Sequence, residues 1–467
     1  MGYKILIGTW GKPDLWKETT YRFNNVSNRS ATSLLTLKEA IKPDKIVIIA
    51  LDTICDSVPP SGSVLTYSDI NKSCQGKLEN FCIGNNLKPD RIIIAPGNGT
   101  FSGMTFTGNM QDYFYITFYQ LVKIFLEVIW RLLKPVGASC PDSTAAREKN
   151  KHFDQSGDNH NCSTSDETIE IHLDLTHGIN FMPTLTYRAL KEIISMIEVF
   201  MNAEFHVYNS EPYFQGRDLE IHVIERSAKL RPLFPMEFIE NQIMLLEHYR
   251  CDELSEEIKK EKKNIRKIGS SLNVDEINTF FSSLMYGLLL VLVSLFPDPE
   301  KIKDTVERAV NYFQEMIIVA NGNPVTVRRK LSLTEHFGTV LKAHFLSECL
   351  RMRGIVRNLE VSLSELKQIT KTVFRKFPLL TNLINNELYS IEPKIKSTPT
   401  FSWDFLINLD KRNQGPPDFR NFMAHAGMEK NLTMVKKKNN EIKLKYDDIR
   451  IKNVQGFARM AMEIKNI

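Results

Sequence analysis

In the first half of the chain, apolar residues fall in short unbroken blocks separated by longer stretches with helical spacing. Blocks at 4–7, 45–51, 91–95 and 168–175 predict strands buried on both faces, because a half-exposed strand would alternate apolar with polar residues. Between them, apolar positions three and four apart predict helices at 33–41, 112–134 and 183–200. Segments 204–208 and 219–225 predict two more strands that complete the sheet with an antiparallel edge. Strand alternating with helix in this way builds a mostly parallel sheet covered on both faces. The expectation for residues 1–228 is therefore an α/β, Rossmann-like domain.

Near residue 228 the period changes. Residues 236–267 read as a charged helix ending in KKEKKNIRK, which makes 229–274 a helical connector. From 275 to 467 the pattern is helix after helix, interrupted at Pro297, Gly322-Asn323-Pro324, Pro378 and Pro393, and predicts an all-α domain. Within it, 434–445 reads as a hairpin turning at Asn439-Asn440. Its five lysines suit phosphate binding and equally suit a protected sheet edge.

Two apolar stretches bear on a membrane. In 113–133 the residues Lys123, Glu127 and Arg131, with Lys134 beyond, draw one charged stripe along an amphipathic helix. Residues 280–296 carry no charge, but this length only reaches the lower end of the ~17–25 residues that cross a bilayer. A buried bundle helix is expected there, and no membrane association.

Composition then narrows the class. A net charge of +5, with 42% hydrophobic and 25% charged residues, fits a globular protein and excludes a tail-like nucleic-acid binder. Seven cysteines without a CxxC pair, and no charged-then-apolar leader pattern, point to a reducing cytoplasm. The polar stretch 137–167 holds Cys140, His152, His160 and Cys162 at spacings unlike a zinc finger. A solvated insertion is expected, and no metal site.

Candidate chemistry lies in both halves. Behind the predicted strands come Gly8-Thr9-Trp10-Gly11, a glycine-rich run from Pro96 through Asn98 to Gly103, and Asp174-Leu175-Thr176-His177-Gly178-Ile179-Asn180. Carboxyl ends of parallel strands form the ligand crevice of open α/β sheets, and glycines let backbone amides approach an anion. No GxGxxG or P-loop pattern occurs there, so dinucleotide binding and NTP hydrolysis have little support. Asp174 with His177 would suit acid–base chemistry, although no nucleophile stands nearby.

In the second half, Arg420-Asn421-Phe422-Met423-Ala424-His425 follows the helix-start signal Gly415-Pro416-Pro417-Asp418, with Gly427 as a stop. Arginine holds phosphate and histidine moves protons near neutral pH. The same spacing recurs at Arg147/His152 in the polar stretch and at Arg217/His222 in a strand, where chance accounts for it. On a helix, five residues turn the two side chains about 140° apart, so one copy makes a poor site and two copies facing each other make a better one.

Taken together, these stretches resemble the CRISPR-associated CARF–HEPN ribonucleases that accompany type III interference complexes. DLTHGIN is similar to the Asp-x-Thr-His-Gly-x-Asn stretch of their CARF half, GTWG to their first ligand loop, and Arg420-Asn421-x3-His425 to the HEPN motif. The resemblance implies a homodimer or larger assembly that binds a cyclic oligoadenylate, most often the tetra-adenylate, across paired CARF domains. Gly8, Thr9, Trp10, Asn98, Thr176, His177, Gly178 and Asn180 would line that activator pocket. Two HEPN domains would then cut single-stranded RNA without a metal or other cofactor, leaving 2′,3′-cyclic phosphate and 5′-hydroxyl ends, in antiviral defence. Arg420 would hold the scissile phosphate, His425 would transfer protons and Asn421 would orient. Two rivals stand beside this: a ligand-sensing transcription regulator that reads DNA, and a ring nuclease that cleaves the cyclic ligand through Asp174 or His177.

Overall fold

The computed structural model describes residues 2–55, 65–101, 103–133, 168–228, 230–249, 256–411 and 414–464. The insertion at 137–167, with its four candidate metal ligands, lies outside the described residues. The first half runs β1 (Tyr3–Trp10), β2 (Thr19–Phe23), β3 (Val26–Ser30), α1 (Ser33–Ile41), β4 (Lys45–Leu51), α2 (Tyr67–Gly84) and β5 (Arg91–Ala95). It continues through β6 (Gly99–Phe101), β7 (Met104–Thr107), α3 (Gln111–Leu133), β8 (Thr168–Asp174), α4 (Met182–Phe200), β9 (Asn202–Ser210) and β10 (Leu219–Ala228).

Eight strands form one sheet in the order β3-β2-β10-β9-β8-β1-β4-β5. From β9 to β5 all neighbours are parallel, and β10 runs antiparallel to β9 as the sequence predicts, but it is not the edge, because β2 and β3 lie outside it. The apolar blocks of β1 and β4 are buried as expected, Ile5, Leu6, Ile7, Val47, Ile48 and Ile49 having no exposed surface, whereas in β5, at the sheet edge, Ile93 and Ala95 are buried and Ile92 and Ile94 only half-buried. Helix α1 starts where Thr32 accepts a hydrogen bond from the Leu34 amide and stops at Lys42, whose φ is 55°. On α3 the residues Lys123, Glu127 and Arg131 form the exposed stripe, and Glu127 pairs with Lys45 and Arg91, each at 3.2 Å.

Two departures matter for the site. Strand β1 extends to Trp10, so Gly8, Thr9 and Trp10 lie in the strand and not in a loop beyond it. The β2–β3 hairpin was not predicted, because YRFNNVSNRS is mostly polar and its apolar face is only Tyr21 and Phe23.

The second half comprises β11 (Leu246–His248), α5 (Glu256–Gly269), α6 (Val274–Met285), α7 (Leu289–Ser294), α8 (Pro299–Glu315), β12 (Ile317–Ala320), β13 (Val325–Arg329), β14 (Leu331–Leu333) and α9 (Glu335–Met352). Then come β15 (Val361–Ser362), α10 (Leu363–Val373), α11 (Pro378–Lys396), β16 (Phe401–Phe405), α12 (Leu406–Leu409), α13 (Phe419–Ala424), β17 (Thr433–Lys438), β18 (Glu441–Tyr446) and α14 (Ile451–Ile464). Helices make up its bulk, and a four-stranded sheet, β15-β18-β17-β16, is added to them. The β17–β18 hairpin turns at Asn439 and Asn440, both at positive φ, where the sequence places it.

The apolar run 280–296 is buried and splits at Tyr286-Gly287. Gly287 has φ +65°, and a side chain there would press on Ile384. No helix among the described residues is long and apolar enough to cross a membrane.

The connector departs from its helical expectation in its first part. Among its described residues helix begins at Glu256, as α5, and residues 230–249 run as an irregular strap ending in β11. Its apolar residues Phe234, Ile239, Ile243 and Leu245 are buried. Partners elsewhere meet its backbone: the Asn278 amide brackets Ile239 from both sides, and His336 Nδ1 accepts from the Met244 amide. Tertiary hydrogen bonds thus replace those a helix would have made. The two halves are also knitted by a shared sheet, β12-β13-β7-β6, in which β13 runs parallel to β7.

Candidate functional site

The short helix α13 begins at Asp418, whose carboxylate accepts from the Asn421 amide at 2.8 Å. It ends at His425, beyond which Ala426 and Gly427 take positive φ and the Gly427 amide returns to Phe422 O at 2.8 Å. The turn signals read from the sequence therefore hold, within a helix of six residues. Phe422 is buried and rests on Phe457 of α14, with ring centroids 5.5 Å apart. That anchor leaves Arg420 and Asn421 exposed. Among the described residues the Arg420 guanidinium makes no hydrogen bond or ion pair, so it is free to take an anion.

His425 is half-buried and faces the other way, onto α11. Its Nδ1 lies 2.8 Å from Glu387 Oε2. That hydrogen bond raises the histidine's pKa above its ordinary value, against the opposing pull of partial burial. Glu429 lies on the turn after α13, 2% exposed, where burial raises its pKa and the Asn431 amide and side chain occupy its carboxylate at 2.8 and 2.7 Å. Lys430, also near His425, is ion-paired with Asp410. The sequence singles out Arg420, Asn421 and His425 as candidates, and the structure adds Glu387 beside His425. The signal was present: Glu387 is an acidic residue on the apolar stripe Ile384, Leu388, Ile391 and Ile395.

In the first half, the carboxyl edges of β1 and β8, neighbours at the point where strand order reverses, bring GTWG and DLTHGIN together. Thr9 Oγ1 donates to Asp174 O at 3.2 Å, and the Gly11 amide donates to His177 O at 2.8 Å. A side chain at Gly178 would fall 2.5 Å from Thr9 Oγ1, so this approach requires glycine. Gly8 is buried, and Asn180 is exposed at φ 52°. Trp10 is fully buried with its ring edge-on to Trp16 and Phe81. Thr176 Oγ1 accepts from the Ser210 amide at 3.1 Å.

His177 stacks on Trp16 at 4.0 Å between centroids, and its Nε2 accepts from the Ser33 amide at 3.3 Å. Burial lowers its pKa to about 4, so it is neutral at pH 7. Asp174 is 1% exposed, takes Ser33 Oγ at 2.6 Å and the Thr176 amide at 3.0 Å, and burial raises its pKa. Both groups are therefore engaged in holding the loop against β1 and α1. Trp16, Tyr21 and Ser33 surround His177 and were not anticipated, since no local pattern ties them to it.

Asn98 sits at the carboxyl end of β5, two strands from β1. Its Oδ1 accepts from Arg329 Nη1 at 3.2 Å, as does Gly97 O at 2.8 Å. Arg329 comes from β13 in the second half, and its Nη2 donates to Asp52 at the end of β4, the pair being fully buried. Tyr67 and the Gly97 amide also donate to Asp52, each at 2.8 Å.

Fold and site together define a two-part protein: an α/β half with a crevice at its topological switch point, locked to a helical half that bears a free arginine and a carboxylate-held histidine. Two family models match it: "CRISPR system endoribonuclease Csx1, CARF domain" over residues 5–137 and 153–212, and "CRISPR system endoribonuclease Csx1, HEPN domain" over residues 377–448. The chain belongs to the CRISPR-associated CARF–HEPN ribonucleases. It is similar to the CRISPR system endoribonuclease Csx1 of Methanocaldococcus jannaschii, 29% identical over 503 residues that cover 99% of this chain and 95% of the relative. The loops of the first half fall within the CARF match and the Arg420 helix within the HEPN match, whereas Arg329 and the connector lie in neither.

Proposed function

We propose that this protein is a metal-independent endoribonuclease that cleaves single-stranded RNA in CRISPR antiviral defence, switched on by a cyclic oligoadenylate. The activator, most often the tetra-adenylate, binds at the carboxyl edges of β1, β5 and β8 across the paired first halves of a homodimer. Gly8, Thr9, Trp10, Asn98, Thr176, His177, Gly178 and Asn180 belong to that site, as pocket lining or as the frame beneath it.

The observation that carries the reading is the pairing on α13 of an unengaged, exposed Arg420 with a His425 that Glu387 holds at 2.8 Å. Arg420 binds the scissile phosphate and stabilises the charge that builds on it as the 2′-oxygen attacks. His425 transfers a proton between solvent and the reacting oxygens. Asn421 orients the phosphate. The products carry 2′,3′-cyclic phosphate and 5′-hydroxyl ends. Because Arg420 and His425 leave the helix in different directions, the site is completed by α13 of a second copy.

The test incubates labelled single-stranded RNA with the protein in EDTA, with and without cyclic tetra-adenylate, beside His425→Ala. Cleavage that needs the activator and His425 but no metal upholds the reading. RNA that stays intact while the cyclic ligand binds leaves only the sensor.

A further inference from the structure

Glu387 lies on the buried stripe of α11, 8% exposed, among Ile384, Leu388 and Ile391 at 0%, 1% and 2%. A carboxylate in such a place is costly unless it is paired. Among the described residues its partner is His425, through Oε2, and Oε1 makes no hydrogen bond. We propose that Glu387 is a positioning residue for RNA cleavage: it takes Nδ1–H of His425 and so turns Nε2, with its proton, toward the scissile phosphate. This inference rests on the nuclease reading above.

Geometry separates this role from simple packing. His425 is the C-cap of a six-residue helix, and its side chain, 35% exposed, would otherwise rotate. One hydrogen bond to a fixed carboxylate sets both the ring's orientation and its tautomer, since a proton held at Nδ1 leaves Nε2 to meet substrate. The charged groups facing the ring are Glu387 from α11 and Glu429 and Lys430 from the following turn. Asn431 occupies Glu429 and Asp410 draws Lys430 aside, so Glu387 dominates and extends the imidazolium form toward higher pH.

The step balances without an oxidant or metal. The 2′-oxygen bonds to phosphorus as the bond from phosphorus to the 5′-oxygen breaks, and the 2′-hydroxyl proton passes to water. His425 gives its Nε2 proton to the departing 5′-oxygen and regains one from solvent. Glu387 keeps its hydrogen bond throughout and takes no net proton.

The test compares the full-length wild type with His425→Ala, Glu387→Gln and Glu387→Asp on labelled single-stranded RNA with cyclic tetra-adenylate, across a pH series, with melting curves for each. Cleavage by the wild type and none by His425→Ala establishes the nuclease reading independently of Glu387. Glu387→Gln is then expected to lower kcat by about 10- to 100-fold, less than the ~100- to 10,000-fold that a placed proton donor itself supplies, with KM little changed. Its alkaline limb in kcat against pH should move to lower pH, and Glu387→Asp should restore part of both. A folded Glu387→Gln with wild-type kcat and limb overturns the proposal, as does a loss confined to KM with the limb unmoved. If the Gln variant does not fold, Glu387→Asp decides by the same limb: shifted with reduced kcat supports positioning, and unshifted overturns it. A silent wild type that still binds the cyclic ligand removes the nuclease reading and this role with it.

Discussion

His425 and His177 carry the same imidazole, and their surroundings shift its pKa in opposite directions. The Glu387 hydrogen bond raises the pKa of His425, so the contact stabilises the fold fully below the unfolded value of about 6.5 and is lost as pH rises through the folded value. The stability gap between wild type and Glu387→Gln should therefore narrow toward alkaline pH in urea titrations, and a gap that widens would contradict the pairing. His177 runs the other way. Burial lowers it to about 4, so its contribution is complete above about pH 6.5 and is lost as pH falls, because only the unfolded chain takes up the proton. His172 and His344, each lowered to about 3 by burial, act with the same sign. Between pH 6.5 and 4 the urea midpoint of the wild type should decline relative to that of His177→Gln; parallel curves would mean that His177 is solvated. At this scale the sequence was most legible where chemistry is contiguous. Arg420, Asn421 and His425 lie on one short helix and its C-cap, whereas Glu387 lies 38 residues upstream and Trp16 reaches His177 from a separate loop.

Elements were legible where hydrogen bonding is local. The buried parallel strands and helices α1, α3 and α4 follow from period alone, and the β17–β18 hairpin from Asn439-Asn440. The strap at 230–249 was not, because its backbone partners are side chains far along the chain. Asn278, fully buried on α6, gives Ile239 both an acceptor at 3.0 Å and a donor at 2.8 Å. Asn278→Ala strands a buried amide and a buried carbonyl, each costing about 1–3 kcal/mol. Denaturant unfolding should show a loss of that order. A change near zero would mean that the strap gains nothing from this bracket. β13 was missed for another reason: it pairs with β12 just upstream as well as with β7 in the other half, but none of these short strands has an apolar pattern long enough to announce itself.

Across the whole molecule, the boundary drawn near residue 228 from the change of period is crossed by Arg329. Its guanidinium reaches from β13 to Asp52, just past β4, and to the Gly97 and Asn98 loop, with neither charge exposed. Removing one member of a fully buried pair leaves the other unpaired, so Arg329→Met or Asp52→Leu alone should each cost about 3–5 kcal/mol, and the double variant less than either. Melting curves of the three variants test this; additive losses would mean that the two charges do not depend on each other. The consequence for regulation follows from where the fork ends. Asn98 is a proposed activator contact, and Arg329 ties it to the half that bears Arg420 and His425, so a ligand that shifts this loop must work against or with that tie. Arg329→Lys keeps the charge but loses the planar fork that serves Asp52, Gly97 and Asn98 at once. It should change the cyclic tetra-adenylate concentration needed for half-maximal cleavage. Because coupling is reciprocal, the variant should change the ligand's binding constant in the same direction. A folded Arg329→Lys with unaltered activation and unaltered ligand affinity would place the signal elsewhere, with the α5 charges as the next segment to neutralise.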